Sequence, residues 1–521
     1  MLRRLWEKRS WELDAAALAA VALALRLWGI RFDLPNSYHP DEYVYVEIAL
    51  KVLKSGDYNP HFFQYPSLFF YFLAAAYIPY FLWSASRGLL STVNGLALPI
   101  ELVPRDVIVA TMPTAFLVGR FMSSLFATAT VVLVYVIGRR LYRRRVGLFA
   151  GLLLAVAFTH VRISHFVTPD GIMTFFVTLA VLLNYNVLTN GRLRDYVLGG
   201  VAIGLAATTK YNAGAAILLL LAAHALREGK SGFVDTKLVA GILCCCAAFL
   251  AGSPYIILDL PGFLNGLAFE MRHYGLIGEP DQTGSTLMWY LVYLWKYESP
   301  IALLAAVQAV RSLFLRSRKA LYLTIFPVLY FCLISTYRVR NDRSLAPILP
   351  LASLLAALLV NDVAEVLRRR LPHVPRQWVR ASLTALVFGL CAAIPVWGTV
   401  NLDRAFSRPD VRTVAAEWVE RNLPPGSRIA IESYSPLMAK SVHHLELVGW
   451  ASDHPLDWYR QNADYLFLHS RGHFGAIAGD PASHALQIAR YQDIFQQFSL
   501  IREFQGPSLG FPCWVRVYEV R

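Results

Sequence analysis

The chain has 521 residues, 56% of them hydrophobic and only 16% charged, with a mean hydropathy of +0.44. A soluble protein of this length carries more charge, so that class is excluded. The net charge of +14 invites a nucleic-acid partner, but the basic residues sit at the ends of apolar runs instead of forming one aromatic-interleaved stripe, and no nucleic acid is expected.

Taken in chain order, Arg3, Arg4, Lys8 and Arg9 precede an apolar run from Ala15 to Trp28. No small-residue cleavage site follows, so the run reads as an uncleaved first span with its N-terminus in the cytoplasm. Later basic clusters at Arg139 to Arg145, Arg192 to Arg194, Arg227 to Lys230, Arg311 to Lys319 and Arg368 to Arg380 fit cytoplasmic loops. Spans are then expected near 13–30, 115–138, 146–163, 170–188, 196–210, 212–226, 237–256, 286–310, 320–336, 344–362 and 381–399, about eleven in all.

The apolar stretch 66–90 could also cross, but a simple crossing there would push the run at Arg139 to Arg145 outside. It reads as a juxtamembrane or re-entrant helix in a long first external loop, 31–114, or as a span whose return lies in 91–114. Residues 1–399 form the expected transmembrane domain, in a multi-pass protein of the plasma membrane. Residues 400–521 are polar, with a helix-like stretch at 410–422 and β-like runs at Arg428–Glu432, Leu445–Trp450, Tyr465–His469 and Trp514–Val520. An odd number of spans puts this small α/β domain outside the cytoplasm. Of six cysteines only Cys513 falls in the polar region, so neither a disulfide framework nor a zinc spacing is available.

Two acidic sites stand at the mouths of apolar helices on the expected outer side. Asp41 and Glu42 lie in Tyr38-His39-Pro40-Asp41-Glu42-Tyr43, and Asp170 lies in His165-Phe166-Val167-Thr168-Pro169-Asp170. Proline followed by an acid is an ordinary helix start. Two such sites on one membrane side nevertheless suggest shared chemistry, since ionisable groups beside apolar spans are functional candidates. A carboxylate here can take the proton of an attacking hydroxyl or amine, with Asp41 the candidate base and Asp170 a positioning or metal-holding group. Outer-side cations that could stabilise a departing phosphate are Lys210 and the run Tyr337-Arg338-Val339-Arg340-Asn341-Asp342-Arg343. The aromatic stretch Tyr58 to Pro66, with His61 and Tyr65, could line a substrate groove, and Arg120 and His165 could face the same cavity. The residues point to no certain cofactor. A divalent metal held by His39, Asp41 and Asp170 stays open, although the histidine spacing matches no metal motif.

At these residues the chain resembles the bacterial relatives of the protein O-mannosyltransferases and of the lipid A aminoarabinose transferases, the phospholipid-carrier-dependent GT-C glycosyltransferases of the family 39 type. The resemblance rests on Asp41-Glu42 in the long first loop, the Tyr65-Pro66 turn before an apolar helix, and Arg120 opening a span that ends in Gly138-Arg139-Arg140-Leu141-Tyr142. It continues through Thr168-Pro169-Asp170, Gly204 to Lys210, and an arginine-rich loop leading into Leu345-Ala346-Pro347-Ile348-Leu349-Pro350. It implies a polytopic α-helical GT-C architecture with juxtamembrane helices in the first loop, Asp41 as catalytic base, and Asp170 as a second acid. It also implies a polyprenyl-phosphate-linked sugar as donor, and a protein, lipid or glycan as acceptor. Relatives often carry lysine where Tyr65 stands, which moves expected contact with the donor phosphate to Lys210 or Arg338. The competing class is a transporter or flippase of lipid-linked sugars, which predicts paired broken helices, mid-membrane charges and internal symmetry.

Overall fold

A computed structural model describes residues 2–96, 100–103, 107–110, 112–229, 235–278, 282, 284–370, 377–435, 438, 442–478 and 482–520. Lys230 and the segment 371–376 of the expected basic clusters lie outside the described residues.

Helix α1 (Leu2–Leu27) leads into a long excursion containing α2 (Glu42–Ser55), α3 (Leu68–Ser86) and an antiparallel hairpin of β1 (Ile100–Val103) and β2 (Val107–Ala110). Helix α2 starts at Pro40-Asp41 and ends at Gly56, whose φ of +68° is a left-handed stop that glycine adopts without strain. Helix α4 (Pro113–Leu141) follows. Helix α3 is long and apolar enough to cross a membrane, and it packs on α2 and α4. Phe72 packs on Phe126, a Cβ on Gly119 would touch Leu73, and the Tyr77 hydroxyl donates to the Ala115 carbonyl at 3.2 Å. Among the described residues, 91–114 holds no helix that could return across a membrane ahead of α4, and the hairpin of β1 and β2 lies there instead.

The helical body continues with α5 (Arg144–Ala155), α6 (Phe158–Ser164), α7 (Asp170–Thr189), α8 (Leu193–Ala207), α9 (Ile217–Glu228) and α10 (Thr236–Gly252). Short helices α11 (Tyr255–Leu258) and α12 (Leu260–Arg272) come next, then α13 (Thr286–Tyr297), α14 (Ile301–Leu315), α15 (Arg318–Ser335), α16 (Leu349–Arg370) and α17 (Gln377–Phe406). Among the described residues six helices are long and apolar enough to cross a membrane, or up to eight if each bent pair is one span. The expected span 146–163 is the pair α5 and α6, bent by 59°. The expected span 286–310 is no straight helix: α13 and α14 meet at 116°. Pro300 at that corner has no N–H to continue the ladder. Glu298 just before it is buried and accepts the Thr159 backbone N–H at 2.6 Å, which ties the corner to α6.

Small residues set how closely the helices approach, as expected where lipid supplies little driving force for helix association. A Cβ on Gly147 of α5 would come within 2.4 Å of the Tyr135 carbonyl of α4, and one on Gly200 of α8 within 2.0 Å of the Gly241 carbonyl of α10.

Helix α17 runs without a break to Phe406. Asp410 then caps α18 (Val411–Asn422) by accepting the Arg412 N–H at 2.8 Å. Strands β3 (Arg428–Ile431) and β4 (His444–Leu447), helix α19 (Leu456–Asn462), strand β5 (Tyr465–His469), helices α20 (His473–Ile477) and α21 (Ala485–Gln497), and strands β6 (Ser499–Ser508) and β7 (Phe511–Glu519) complete the chain. The sheet order is β4-β3-β5-β7-β6, with β3, β4 and β5 parallel and β6 and β7 antiparallel. The fold class read from the sequence, a polytopic helical body with a small C-terminal α/β unit, is what is found. The sheet unit is seated on the helical body through Phe32, Tyr38, Phe158, Phe166, Phe406 and Leu509. The Tyr38 hydroxyl meets Thr413 Oγ1 at 2.7 Å, and the Arg412 guanidinium lies 3.8 Å from the Tyr38 ring centroid.

Candidate active site

Asp41 occupies the N-cap of α2, and its Oδ2 lies 2.6 Å from Nη1 of Arg343 in the 3-10 turn Asp342–Ile348 that enters α16. Burial pushes the Asp41 carboxyl up, but Arg343 and its cationic neighbours more than offset this and hold it below the usual carboxylate range. Asp41 is therefore ionised at neutral pH. His39 beside it is driven down to about 4 by burial and is neutral there.

Lys210 stands between α8 and a 3-10 turn, Tyr211–Ala216, and pairs with Asp170 at 2.8 Å. Its Nζ lies 5.7 Å from the Tyr65 ring centroid. The Tyr65-Pro66 turn is pinned to the ends of two spans: the Leu68 N–H donates to the Thr208 carbonyl at 3.2 Å, and the Ser67 N–H donates to Ser253 Oγ at 2.9 Å. Thr208 and Ser253 are themselves hydrogen-bonded.

Two cavities meet here. One, of about 520 Å³, is lined by Lys210, Tyr211, Leu267, Met271, Leu333 and Tyr337 among others. Met271, Leu276 and Ile277 beside it are 67%, 69% and 70% exposed, so it opens through an apolar surface suited to lipid. The other, of about 720 Å³, is polar and holds Asp41 and Arg343, with Arg412, Tyr434, Trp450 and Arg471 from the sheet unit. Gln64, Tyr65, Glu270 and Tyr274 line both. Glu270 is raised to about 7 by burial, against the pull of Lys210 and Arg343. A third cavity, of about 860 Å³, adjoins the polar one at Arg343 and is lined by Arg162, Lys296, Arg340 and Arg471 against Asp342 as its one acid.

The structure thus brings together Asp41, Tyr65, Lys210, Tyr337, Arg340 and Arg343, with Asp170 behind Lys210. Other expected site residues lie elsewhere. Glu42 and Arg120 are fully buried in a two-pronged ion pair, at 2.9 and 2.7 Å, on the far side of the helix start from the cavity. His165 is enclosed between the Val161 and Trp28 carbonyls and the Phe406 ring. His61 is exposed and pairs with Asp57 at 2.9 Å in a separate depression beside α2. Arg338 is exposed and lines none of the three cavities. Among the described residues no three His, Cys, Asp or Glu side chains come together to hold a metal ion. Asp41 and Asp170 each face a cation, so His39, Asp41 and Asp170 do not fit a metal site.

Sequence reading missed Glu270, Tyr274 and Arg471. A signal for the first two existed: Asp259-Leu260-Pro261 announces a helix, and Phe263, Leu267, Glu270 and Tyr274 recur at helical spacing on one face.

The family described as dolichyl-phosphate-mannose-protein mannosyltransferase matches residues 108–256. No curated protein matches the chain in sequence. Among solved structures, ArnT from Cupriavidus metallidurans bound to undecaprenyl phosphate superposes with a TM-score of 0.51 at 15% identity, covering 96% of this chain and 97% of its own. The archaeal oligosaccharyltransferase AglB from Archaeoglobus fulgidus, in complex with an inhibitory peptide and a dolichol-phosphate, gives 0.51 at 13% identity, covering 89% and 70%. The chain has the GT-C glycosyltransferase fold, and it is a multi-pass membrane protein.

Proposed function

We propose that the protein is a membrane glycosyltransferase that moves a sugar from a polyprenyl-phosphate donor to an acceptor on the extracytoplasmic side. In this reading the N-terminus is cytoplasmic, and the sheet unit and Asp41 face outward from the plasma membrane. The observation that carries it is the junction of a lipid-facing cavity holding Lys210 with a polar cavity holding Asp41, through the shared wall of Gln64, Tyr65, Glu270 and Tyr274. A lipid phosphate, the ligand class bound in the ArnT and AglB structures, suits the first cavity.

The donor enters sideways from the bilayer, and its phosphate is met by Lys210, with Arg343 across the junction. The acceptor hydroxyl or amine attacks the anomeric carbon from the opposite side, with inversion. Its proton passes to the Asp41 carboxylate as the new bond forms. The bond between the anomeric carbon and the phosphate oxygen breaks, and polyprenyl phosphate leaves with that electron pair, stabilised by the same cations.

The test is to incubate the purified protein with a panel of polyprenyl-phosphate sugars and acceptors and to measure released polyprenyl phosphate. Release supports the transferase, whereas lipid-linked sugar crossing proteoliposomes without release supports a flippase. Removing the buried pair together, as Lys210→Met with Asp170→Asn, avoids leaving an uncompensated charge. It is expected to raise the donor KM roughly tenfold or more, and an unchanged KM would take Lys210 out of the donor site.

Glu270 predicts a pH effect. With its carboxyl near 7 it is neutral below that pH and anionic above it, beside an anionic donor. The donor KM should rise as the pH passes upward through about 7 and stay flat in Glu270→Gln. Parallel profiles for the two proteins would remove Glu270 from the donor cavity.

A further inference from the structure

The sheet unit turns a particular edge toward the membrane site. The chain leaves β3 for β4 on one side and leaves β5 for β6 on the other, so these two connections diverge at the carboxyl ends of β3 and β5. In open α/β sheets that crevice is where ligands bind. The segments leaving those two ends carry Tyr434 after β3 and Arg471 after β5, Trp450 follows the neighbouring β4, and all three line the cavity that contains Asp41.

Tyr434 is held at φ +65°, a left-handed conformation that an aromatic side chain rarely adopts and that marks functional positions when the surroundings enforce it. The enforcement is visible, because the Tyr434 carbonyl accepts Arg412 Nη1 at 2.9 Å and Arg412 is itself locked to Asp410 at 3.0 Å. The Tyr434 and Trp450 rings lie 6.3 Å apart, tilted by 43°. Arg471 has no carboxylate within ion-pair distance among the described residues. Desolvation and the nearby Arg162 and Arg412, set against Asp410, lower its pKa to about 10, so it stays cationic at neutral pH, and its guanidinium lies 5.3 Å from the Phe511 ring centroid.

Building on the transferase reading, we propose that the sheet unit forms the acceptor subsite and that the acceptor is an acidic saccharide. The faces of Tyr434 and Trp450 take the sugar ring, and the Arg471 guanidinium takes its carboxylate or phosphate, while a hydroxyl of the same saccharide is presented to Asp41. Aromatic faces suit the C–H surface of a pyranose, and a planar fork of donors suits a carboxylate or phosphate.

The experiment measures binding by calorimetry to the full-length protein in lipid nanodiscs, with three probes of equal length: maltotetraose, maltotetraose carrying a 6-phosphate, and tetragalacturonate. At least one anionic probe is expected to bind roughly tenfold or more tighter than the neutral one, and which of the two does so identifies the anion. Arg471→Gln should abolish that preference, and Arg471→Lys should retain part of it. Tyr434→Asn, which tolerates the left-handed backbone, should weaken all three. Arg421→Gln, an exposed residue of α18 paired with Glu417, is the matched charge control. Equal binding of the three probes, or a preference unchanged in Arg471→Gln, overturns the acceptor subsite. Polyprenyl phosphate release, measured alongside, separates the two readings. Release combined with either of those binding results sinks only this inference, whereas absence of release from any donor sinks the transferase reading on which it rests.

Discussion

Asp41→Asn is expected to lower acceptor-dependent turnover by roughly 10²–10⁴-fold while leaving donor binding in place, the range lost when a positioned proton acceptor is removed. Asparagine keeps the shape and an oxygen facing Arg343, so the cap of α2 and the 3-10 turn before α16 should survive, and the loss should appear in kcat and kcat/KM together. Asp41 is held below the usual carboxylate range by Arg343, which keeps it ionised and able to accept a hydrogen bond from the nucleophile. A low basicity limits how much proton transfer can precede bond formation, so in this mechanism the proton moves late, as the new glycosidic bond forms. Single-turnover measurement with a radiolabelled donor separates the steps. Binding retained with transfer lost gives Asp41 its role, and transfer at the wild-type rate would move the base to Glu270, the other carboxylate on the cavity wall.

How far the site could be read from sequence depended on whether its cue was local. The start of α2 at Pro40-Asp41 and its stop at Gly56 are local signals, and so is α18 after its Asp410 cap; each was legible. Strand β6 was not, because it is an edge strand whose Arg502, Glu503 and Gln505 dilute the apolar alternation and whose register shifts between Leu500 and Arg502. Lys210 and the Arg338 to Arg343 run stand out in the sequence as cations on the expected outer side. Which of them would face Asp41 was decided by the 3-10 turn Asp342–Ile348, which carries Arg343 into the cavity and leaves Arg338 outside. Arg471 and Trp450 reach the site only because the sheet unit is seated on the helical body through contacts such as that of Tyr38 with Thr413, and no local pattern encodes such docking. Glu42 shows the converse. It adjoins Asp41 in sequence, yet neighbours on a helix point about 100° apart, so one acid faces the cavity and the other the interior of the bundle.

Glu42→Gln is accordingly expected to act on folding. Glu42 accepts Arg120 Nε at 2.9 Å, Arg120 Nη2 at 2.7 Å and the Val167 N–H at 2.8 Å. Arg120 Nη1 also donates to the carbonyls of Ile30 and Phe32 at 3.0 and 2.9 Å, and its guanidinium lies 3.9 Å from the Phe32 ring centroid. One buried pair thus fastens the end of the first helix, the start of α2, the body of α4 and the loop before α7. Removing one partner strands the other charge in a fully buried site, at a cost of about 3–5 kcal/mol. The measurable result is a lower melting temperature and a lower membrane yield for Glu42→Gln, and the same for Arg120→Met. The double variant Glu42→Leu with Arg120→Met should recover part of the loss, because it leaves no unpaired charge. Such recovery is the signature of a structural clamp. A Glu42→Gln protein that melts like the wild type but no longer transfers sugar would instead place Glu42 in the chemistry, and the assignment of Asp41 as sole base would fall with it.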